Sequence, residues 1–437
     1  MSSLITIGIL GCIILLLLLI ASVPVGFALA LVGAFGFALA AGNPEAAYHL
    51  VVSVTYDNFS KYDLSVIPLF IFMGQIAFHA GISSRLFHAA YCWLGRFPGG
   101  LGLAAMGACA GFCSICGSGP ASAATMTAVA LPEMRKYKYS LDVGCGIVAA
   151  GSSLGIMIPP SVVFIVYAIM TENSPARLFA AGVIPCLIII AMFFAYITYL
   201  CIAHPELGPA NKEITWRQRF MSILNVLDVV ALFILVMGGM LFWGWFTPTE
   251  AAAIGAFGSL LIALCRRSMT WKKLWKALEE TIRTSCMVLV IVTGALIFGR
   301  FLALTGITSD LAGNLSIMPV PAWVKMSVIL VFFMIAGCFV DALALVMLTM
   351  PIFLPVIRAL GYDPVWFGTM VVVIVQLGVI TPPVGVNVYV VSGIEREVPM
   401  QTIFRRALPF AGIIIIGAIL LMLFPKLALA LPHWLYD

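Results

Sequence analysis

The sequence predicts an all-α polytopic membrane protein made of two inverted repeats, each of five spans plus a re-entrant hairpin. Three observations predict it. Of 437 residues, 63% are hydrophobic and only 9% charged, where a water-soluble domain carries roughly 45–50% and 25%; mean hydropathy is +1.13. The apolar residues fall in blocks of about 20, the length that crosses a hydrocarbon core as a helix, and lack the alternation of a membrane β-barrel. Short motifs then recur in one order at a nearly constant offset.

Residues 3–22 and 24–41 are two spans parted by the Ser22-Val23-Pro24 break. No Lys or Arg precedes Lys61, so the first lacks the basic n-region of a cleavable signal and is expected to be retained. Residues 45–63 are amphipathic, and 64–80 form a third span. Residues 81–97 mix apolar, aromatic and basic positions at helical spacing, as in a helix lying in the interface. The stretch 100–134 has Gly, Ser and Pro at its middle, around Cys113 to Pro120. Each leg is near 17 residues, roughly 25 Å of helix, so it predicts a hairpin that turns back inside the membrane. Residues 141–171 are too long for one span and carry Gly151-Ser152-Ser153 and Pro159-Pro160 centrally, which predicts a broken helix. A span at 178–203 and a polar loop at 204–222 close the first half.

The second half repeats the plan. Spans fit 224–245 and 250–265, an amphipathic segment 268–283, a span 284–304 and a polar stretch 305–319. A second hairpin fits 321–361 with its turn near Gly337 to Asp341, a second broken helix 364–393 around Thr381-Pro382-Pro383, and a last span 408–431. Direct alignment supports the duplication. Gly33-Ala34-Phe35-Gly36 recurs at Gly255 to Gly258, Gly81-Ile82-Ser83-Ser84 at Gly306 to Ser309, Leu154 to Pro160 at Leu377 to Pro383, and Pro132 at Pro355. An odd number of crossings per half inverts one half against the other. Placing 135–140 in the cytoplasm collects 17 of the 23 Lys and Arg residues on that side, as the positive-inside bias requires. Both termini then face outside, the first hairpin opens from the cytoplasm and the second from the exterior.

Several chemistries are excluded. There is no Gly-Lys pair and hence no phosphate-cradling loop for ATP. The five histidines are scattered, and Cys113-x-x-Cys116 lacks two further ligands nearby for zinc. No acid–base, nucleophile–base or metal set has sensible spacing, so the chain is not expected to be an enzyme or to carry a cofactor. A net charge of +5 follows loop placement rather than nucleic-acid binding.

Inverted repeats with discontinuous helices are the architecture of secondary transporters, because unwound backbone persists in a membrane only where it lines a cavity or binds something. One cluster is Ser114, Gly117, Ser118 and Gly119 at the first tip, opposite Gly151, Ser152, Ser153 and Gly155. Small residues there allow close helix packing; a Ser-Gly tip facing a Gly-Ser-Ser break also offers oxygen ligands for an ion. A second cluster is Gly337, Val340 and Asp341 opposite Gln376, Gly378, Thr381 and Pro382. Asp341 is the one carboxylate deep in an apolar segment, a functional candidate by that placement, or else a structural partner for a helix N-terminus. Arg300, whose repeat mate is Gln75, sits near a span end, where it meets either an anionic substrate or the interface. Asn387 follows the second Pro-Pro. Substrate contacts are expected from Ser118, Ser153, Pro160, Asp341, Pro383, Asn387 and Arg300, and sodium ligands from the two clusters.

At these residues the chain resembles the large membrane subunit of the tripartite ATP-independent periplasmic (TRAP) transporters, DctM-like proteins within the ion transporter superfamily. The resemblance covers essentially the whole chain. It is carried by Ile67-Pro68-Leu69-Phe70-Ile71-Phe72-Met73-Gly74, the Cys116-Gly117-Ser118-Gly119-Pro120-Ala121-Ser122-Ala123 tip, Pro159-Pro160-Ser161, Asp341 with Pro351-Ile352-Phe353-Leu354-Pro355, and Gly378 to Gly385. It implies sodium-coupled import of small organic acids across a bacterial inner membrane by an elevator movement. It also implies two partners, a small four-helix membrane subunit and a periplasmic substrate-binding protein, neither of which is expected to be fused here. On this resemblance 98–171 and 320–393 form the moving domain. Residues 1–97 and 172–319 are scaffold spans and arms, with the repeat junction near 204–222, and 394–437 holds the final span. The sodium sites fall on the two clusters above. The carried acid is left open among dicarboxylates, sialic acids, keto acids and ectoine-like solutes. The alternative within transporters is a stand-alone cation-coupled symporter or antiporter of the same superfamily. A channel is disfavoured because inverted halves lack symmetry about the membrane normal.

Overall fold

The computed structural model describes residues 2–208 and 215–436. Lys212, part of the orientation count, and the centre of the 204–222 junction lie outside the described residues. The first half runs α1 (Ser2–Ile20), α2 (Val25–Ala41), α3 (Pro44–Ser60), α4 (Val66–His79), α5 (Ile82–Leu94), α6 (Gly100–Cys116), α7 (Gly119–Lys136), α8 (Leu141–Ser153), α9 (Val162–Thr171) and α10 (Pro175–Ala203). α11 (Trp216–Leu224) leads into α12 (Leu227–Phe233) and α13 (Gly239–Leu241), joined by a π turn at Ile234–Gly238. Then follow α14 (Pro248–Cys265), α15 (Trp271–Thr305), α16 (Ile307–Ile317), α17 (Ala322–Gly337), α18 (Ala342–Ala359), α19 (Pro364–Gly378), α20 (Val386–Ile394), α21 (Met400–Leu423) and α22 (Lys426–Tyr436). Among the described residues there is no strand. Among the described residues six helices are long and apolar enough to cross a membrane singly, including α10, α14, α15 and α21. The legs α6 and α17 are shorter apolar helices.

Local chemistry sets the helix ends. Asn43 caps α3 by accepting from Glu45 N at 2.9 Å, with Pro44 at the first helical position. Thr247 and Glu250 form a capping box on α14, again with a proline first. Asp363 caps α19 by accepting from Val365 N.

The duplication is visible in the elements. Shifted by 223 residues, α7 coincides with α18 at both ends, and α2, α8 and α9 begin within a residue of α14, α19 and α20. Three expected boundaries differ. The segments 268–283 and 284–304 form one continuous helix, α15, because no Gly or Pro interrupts Arg283-Thr284; the first repeat breaks instead at Lys61. The stretch 305–319 contains α16, started after the left-handed Gly306 (φ 74°). The last span begins near Met400 rather than 408, and a separate helix follows Pro425.

The two hairpins and two broken helices interlock across the repeats. α7 packs on α20, and α18 on α9. The ties at their ends correspond: Arg135, ending α7, meets Glu395 at 3.1 Å beyond α20, and its repeat mate Arg358, ending α18, donates to the Thr171 carbonyl ending α9 at 3.4 Å. α8 and α19 are buried nearly throughout, and Trp366 of α19 and Phe164 and Tyr167 of α9 are among the largest fully buried side chains. Tyr167 Oη donates to the Pro364 carbonyl at 2.6 Å. Around this core, α2 lies along α15 and α4 along α14, one symmetric pair of contacts in the remaining helices.

Candidate functional site

Each hairpin turns where the chain cannot continue as a helix. At the first tip Gly117 is left-handed (φ 61°), and Ser118 is extended and caps α7 by accepting from Ala121 N. At the second, Asp341 caps α18 by accepting from Leu343 N at 3.0 Å. Ser118 and Asp341 are 223 residues apart, so the same capping place in each repeat holds a neutral hydroxyl once and a carboxylate once.

Tip and break touch through glycine. A Cβ on Gly155 would stand 2.9 Å from the Ser118 carbonyl carbon and 3.0 Å from Gly119 N, and one on Gly378 would run into the Gly337 carbonyl. Backbone meets backbone at both places, so small residues are required whatever else the sites do. Pro159-Pro160 and Pro382-Pro383 carry cis peptides. The first break is buried throughout, whereas Pro382, Pro383 and Val384 are exposed.

The buried polar groups connect the halves. Gln376 Nε2 donates to Ser153 Oγ at 2.9 Å, and Ser153 Oγ donates to the Ala150 carbonyl at 2.7 Å. Ser153 and Gln376 are themselves repeat mates, 223 apart. Asn387 Nδ2 donates to the Ala149 carbonyl at 3.3 Å. The side-chain oxygens of Gln376 and Asn387 are buried without a hydrogen-bond partner. Buried amide oxygens are rarely left unpaired, and both are suitable hard donors for sodium. Asn387 Oδ1 and the Ser152 carbonyl converge on Gly119, each 3.2 Å from where its Cβ would lie.

A cavity of about 170 Å³ separates the tips from the surrounding helices. Cys116, Gly117, Ser118, Gly119 and Asp341 line it from the hairpins, and Gln75 of α4 and Thr284 of α15 from the other side. Among the described residues Asp341 is the one charged residue in its lining, which includes no basic side chain.

The remaining sequence candidates lie as follows. Ser114 Oγ donates into its own helix, to Gly111 O at 2.7 Å, and Thr381 Oγ1 to Leu377 O at 2.8 Å. Gly151 and Ser152 sit beneath the tip, their carbonyls 3.9 and 3.8 Å from Cys113 Sγ, which also lies 3.3 Å from Ser122 Oγ. The Pro160 carbonyl abuts Gly117. Gly337 is held against Gly378, while Val340 is half-buried outside the cavity lining. Pro383 is exposed. Arg300 is exposed and does not line the cavity, which its repeat mate Gln75 does. Gln75 and Thr284 were not among the expected ligands; an amide inside an apolar span was the available signal for Gln75. Among the described residues no His, Cys, Asp and Glu group can hold a transition metal.

The family described as "Tripartite ATP-independent periplasmic transporter, DctM component" matches residues 12–427. The chain is 34% identical to the C4-dicarboxylate TRAP transporter large permease protein DctM of Pseudomonas aeruginosa, over 90% of this chain and 91% of that one. It is 32% identical to the sialic acid TRAP transporter large permease protein SiaM of Vibrio cholerae, over 95% and 96%. With the isethionate TRAP transporter permease protein DctMQ of Oleidesulfovibrio alaskensis it shares 31% over 91% of this chain and 62% of the longer relative. The crystal structure of the Alcanivorax borkumensis YdaH transporter has a similar fold, with a TM-score of 0.58 at 14% identity over 89% of each chain.

Proposed function

This chain belongs to the DctM component family of tripartite ATP-independent periplasmic transporters, and we propose that it is a large permease coupling sodium entry to import of a small organic acid. The acid is of the kind its relatives are named for, a C4-dicarboxylate, sialic acid or similar carboxylate. A periplasmic binding protein delivers it, a small four-helix membrane subunit packs on the scaffold, and the assembly sits in a bacterial inner membrane. The supporting observation is the cavity lined by two helix starts, capped by the repeat mates Ser118 and Asp341.

Residues 98–171 and 320–393 move as one body. The cross-repeat ties from Arg358 and Gln376 support this, since a unit that shifts against its surroundings needs its own internal bonds. The cavity lies at the boundary of that body with α4 and α15, so a shift carries the bound solute past Gln75 and Thr284. The positive-inside count supports the inverted orientation of the two halves. Sodium is held at the tips and breaks, with Gln376 and Asn387 oxygens as donors in addition to backbone carbonyls.

The test is uptake of labelled organic acids into proteoliposomes holding this chain with its small subunit, with the binding protein outside and an inward sodium gradient. Uptake that needs both sodium and the binding protein is expected. Uptake indifferent to the binding protein places the chain with the stand-alone symporters, and uptake indifferent to sodium overturns the coupling.

A further inference from the structure

The short helix α11 is amphipathic the wrong way round for water. Its buried residues are Arg219 and Ser222, while Trp216, Phe220, Met221 and Leu224 face outward and are 54 to 62% exposed. It packs on α5 and is bent 51° from the helix that follows. Outward aromatic and aliphatic side chains on a helix with a basic polar face are the composition of a helix lying in the plane of a bilayer interface.

The arginines around it divide into paired and unpaired groups. Arg85, Arg135, Arg266 and Arg406 each meet a carboxylate. Among the described residues no carboxylate pairs with Arg96, Arg217 or Arg219. The Arg219 guanidinium lies 4.7 Å from the Trp216 ring centre, and its Nε is buried with no hydrogen-bond partner. Arg96 stacks on Phe97 at 5.1 Å, and Trp93 packs edge-on to Phe220 at 6.3 Å, so the C-terminal end of α5 and α11 make one aromatic and basic patch. A guanidinium offers fixed donors that match phosphate, and Trp at headgroup depth marks the interface.

We propose that α11 and the C-terminal end of α5 form a binding site for the phosphate of an anionic phospholipid, with Arg219 as its buried donor and Arg96 and Arg217 at its rim. The lipid chains cover the outward face of Trp216, Phe220 and Leu224. The inference concerns the junction between the repeats and holds whatever solute is carried.

The probe is the full chain in nanodiscs of zwitterionic phosphatidylcholine, doped with brominated-chain phosphatidylglycerol or, separately, brominated-chain phosphatidylcholine. Quenching of Trp216 is read as the difference between the wild type and Trp216→Phe. With three arginines, the brominated phosphatidylglycerol is expected to quench at roughly a hundredfold lower mole fraction than its zwitterionic counterpart. Each arginine near an anionic leaflet contributes roughly a fivefold preference, so Arg96→Gln with Arg217→Gln should erase most of it. Arg219→Gln should lower the preference by at least about fivefold and Arg219→Lys retain part of it. Because Arg96 and Arg217 are at the rim, their double variant keeps the test open if Arg219→Gln fails to fold. Equal quenching by the two lipids, no quenching by either, displacement by inorganic phosphate, or an unchanged preference in the double variant each overturns the site.

Discussion

Ser153→Ala should cost far more than its single lost hydroxyl suggests. Ser153 and Gln376 are fully buried. The hydroxyl accepts from Gln376 Nε2 at 2.9 Å and donates to Ala150 O at 2.7 Å. Removing it strands an amide N–H in the core, worth about 1–3 kcal/mol. Gln376→Leu behaves differently. The Ser153 hydroxyl keeps its bond to Ala150, and the amide removed already carries an unpaired oxygen, so the change should fall within about 1 kcal/mol of neutral. The double variant should then match Gln376→Leu alone, a coupling of about 2 kcal/mol in a double-mutant cycle. The assay is equilibrium unfolding of the four proteins in mild detergent titrated with SDS. Additive single effects, or a Ser153→Ala as mild as Gln376→Leu, would refute the reasoning. A sodium arm tests the unpaired oxygen. If Gln376 Oε1 holds the ion with a Kd of ~10 mM, then ~100 mM sodium stabilises the wild type by about 1.4 kcal/mol over choline and leaves Gln376→Leu unmoved.

Four further outcomes are expected. Asp341→Asn keeps a side-chain oxygen for Leu343 N, so thermal stability should hold within a few tenths of a kcal/mol, while sodium-driven uptake falls at least tenfold; equal loss of both would make the residue structural. Ser118→Asp puts a second carboxylate on the cavity, and should abolish binding of an acid without unfolding the chain, as equilibrium binding of the labelled acid would register. Gly155→Ala forces the first tip back from its break and should cost about 1–3 kcal/mol, with Gly378→Ala costing more because its Cβ meets the Gly337 carbonyl; melting temperatures order them. Arg300→Gln should leave both KM and maximal uptake near wild type, since the side chain is exposed and outside the cavity.

The parts of this fold legible in the sequence are those fixed by backbone chemistry. The Gly117-Ser118 turn, the Asp341 cap and the two Pro-Pro breaks are short, local and written in residues that cannot continue a helix. Repetition made them firmer, because Ser118 and Asp341, or Gly155 and Gly378, occupy one place twice. What escaped was set by distant neighbours. Asn387 looked like a substrate contact beside the second break; only the packing of α20 against α7 and α8 turns its amide toward Ala149 and Gly119 in the other half. Gln75 and Thr284 join the cavity because α4 and α15 pass the tips, which no spacing along the chain encodes. Arg300, near a span end, suits either an anionic substrate or the interface by sequence, and helix phase puts it outside the cavity. The one long helix α15 escaped because the composition changes at Arg283 while the backbone does not.

The unequal caps supply a physical basis for the sodium coupling proposed above. A helix N-terminus favours an anion. At α7 the cap is a neutral serine, so its partial positive charge is left for a ligand. At α18 the cap is a carboxylate, which cancels that charge and leaves the region negative. An acid in this cavity therefore sits best against the first tip and is repelled by Asp341. A carboxylate ~8 Å away feels about 2 kcal/mol of repulsion at an effective dielectric near 20, roughly thirtyfold in affinity. Sodium bound beside Asp341 removes that repulsion. The acid must then bind more tightly with sodium present by about that factor, and by linkage sodium must bind more tightly by the same factor when the acid is present. Neutralising Asp341 should abolish this mutual dependence, so that Asp341→Asn binds the acid equally well in sodium and in choline. That independence separates a charge-coupled carrier from one in which sodium only braces the hairpin.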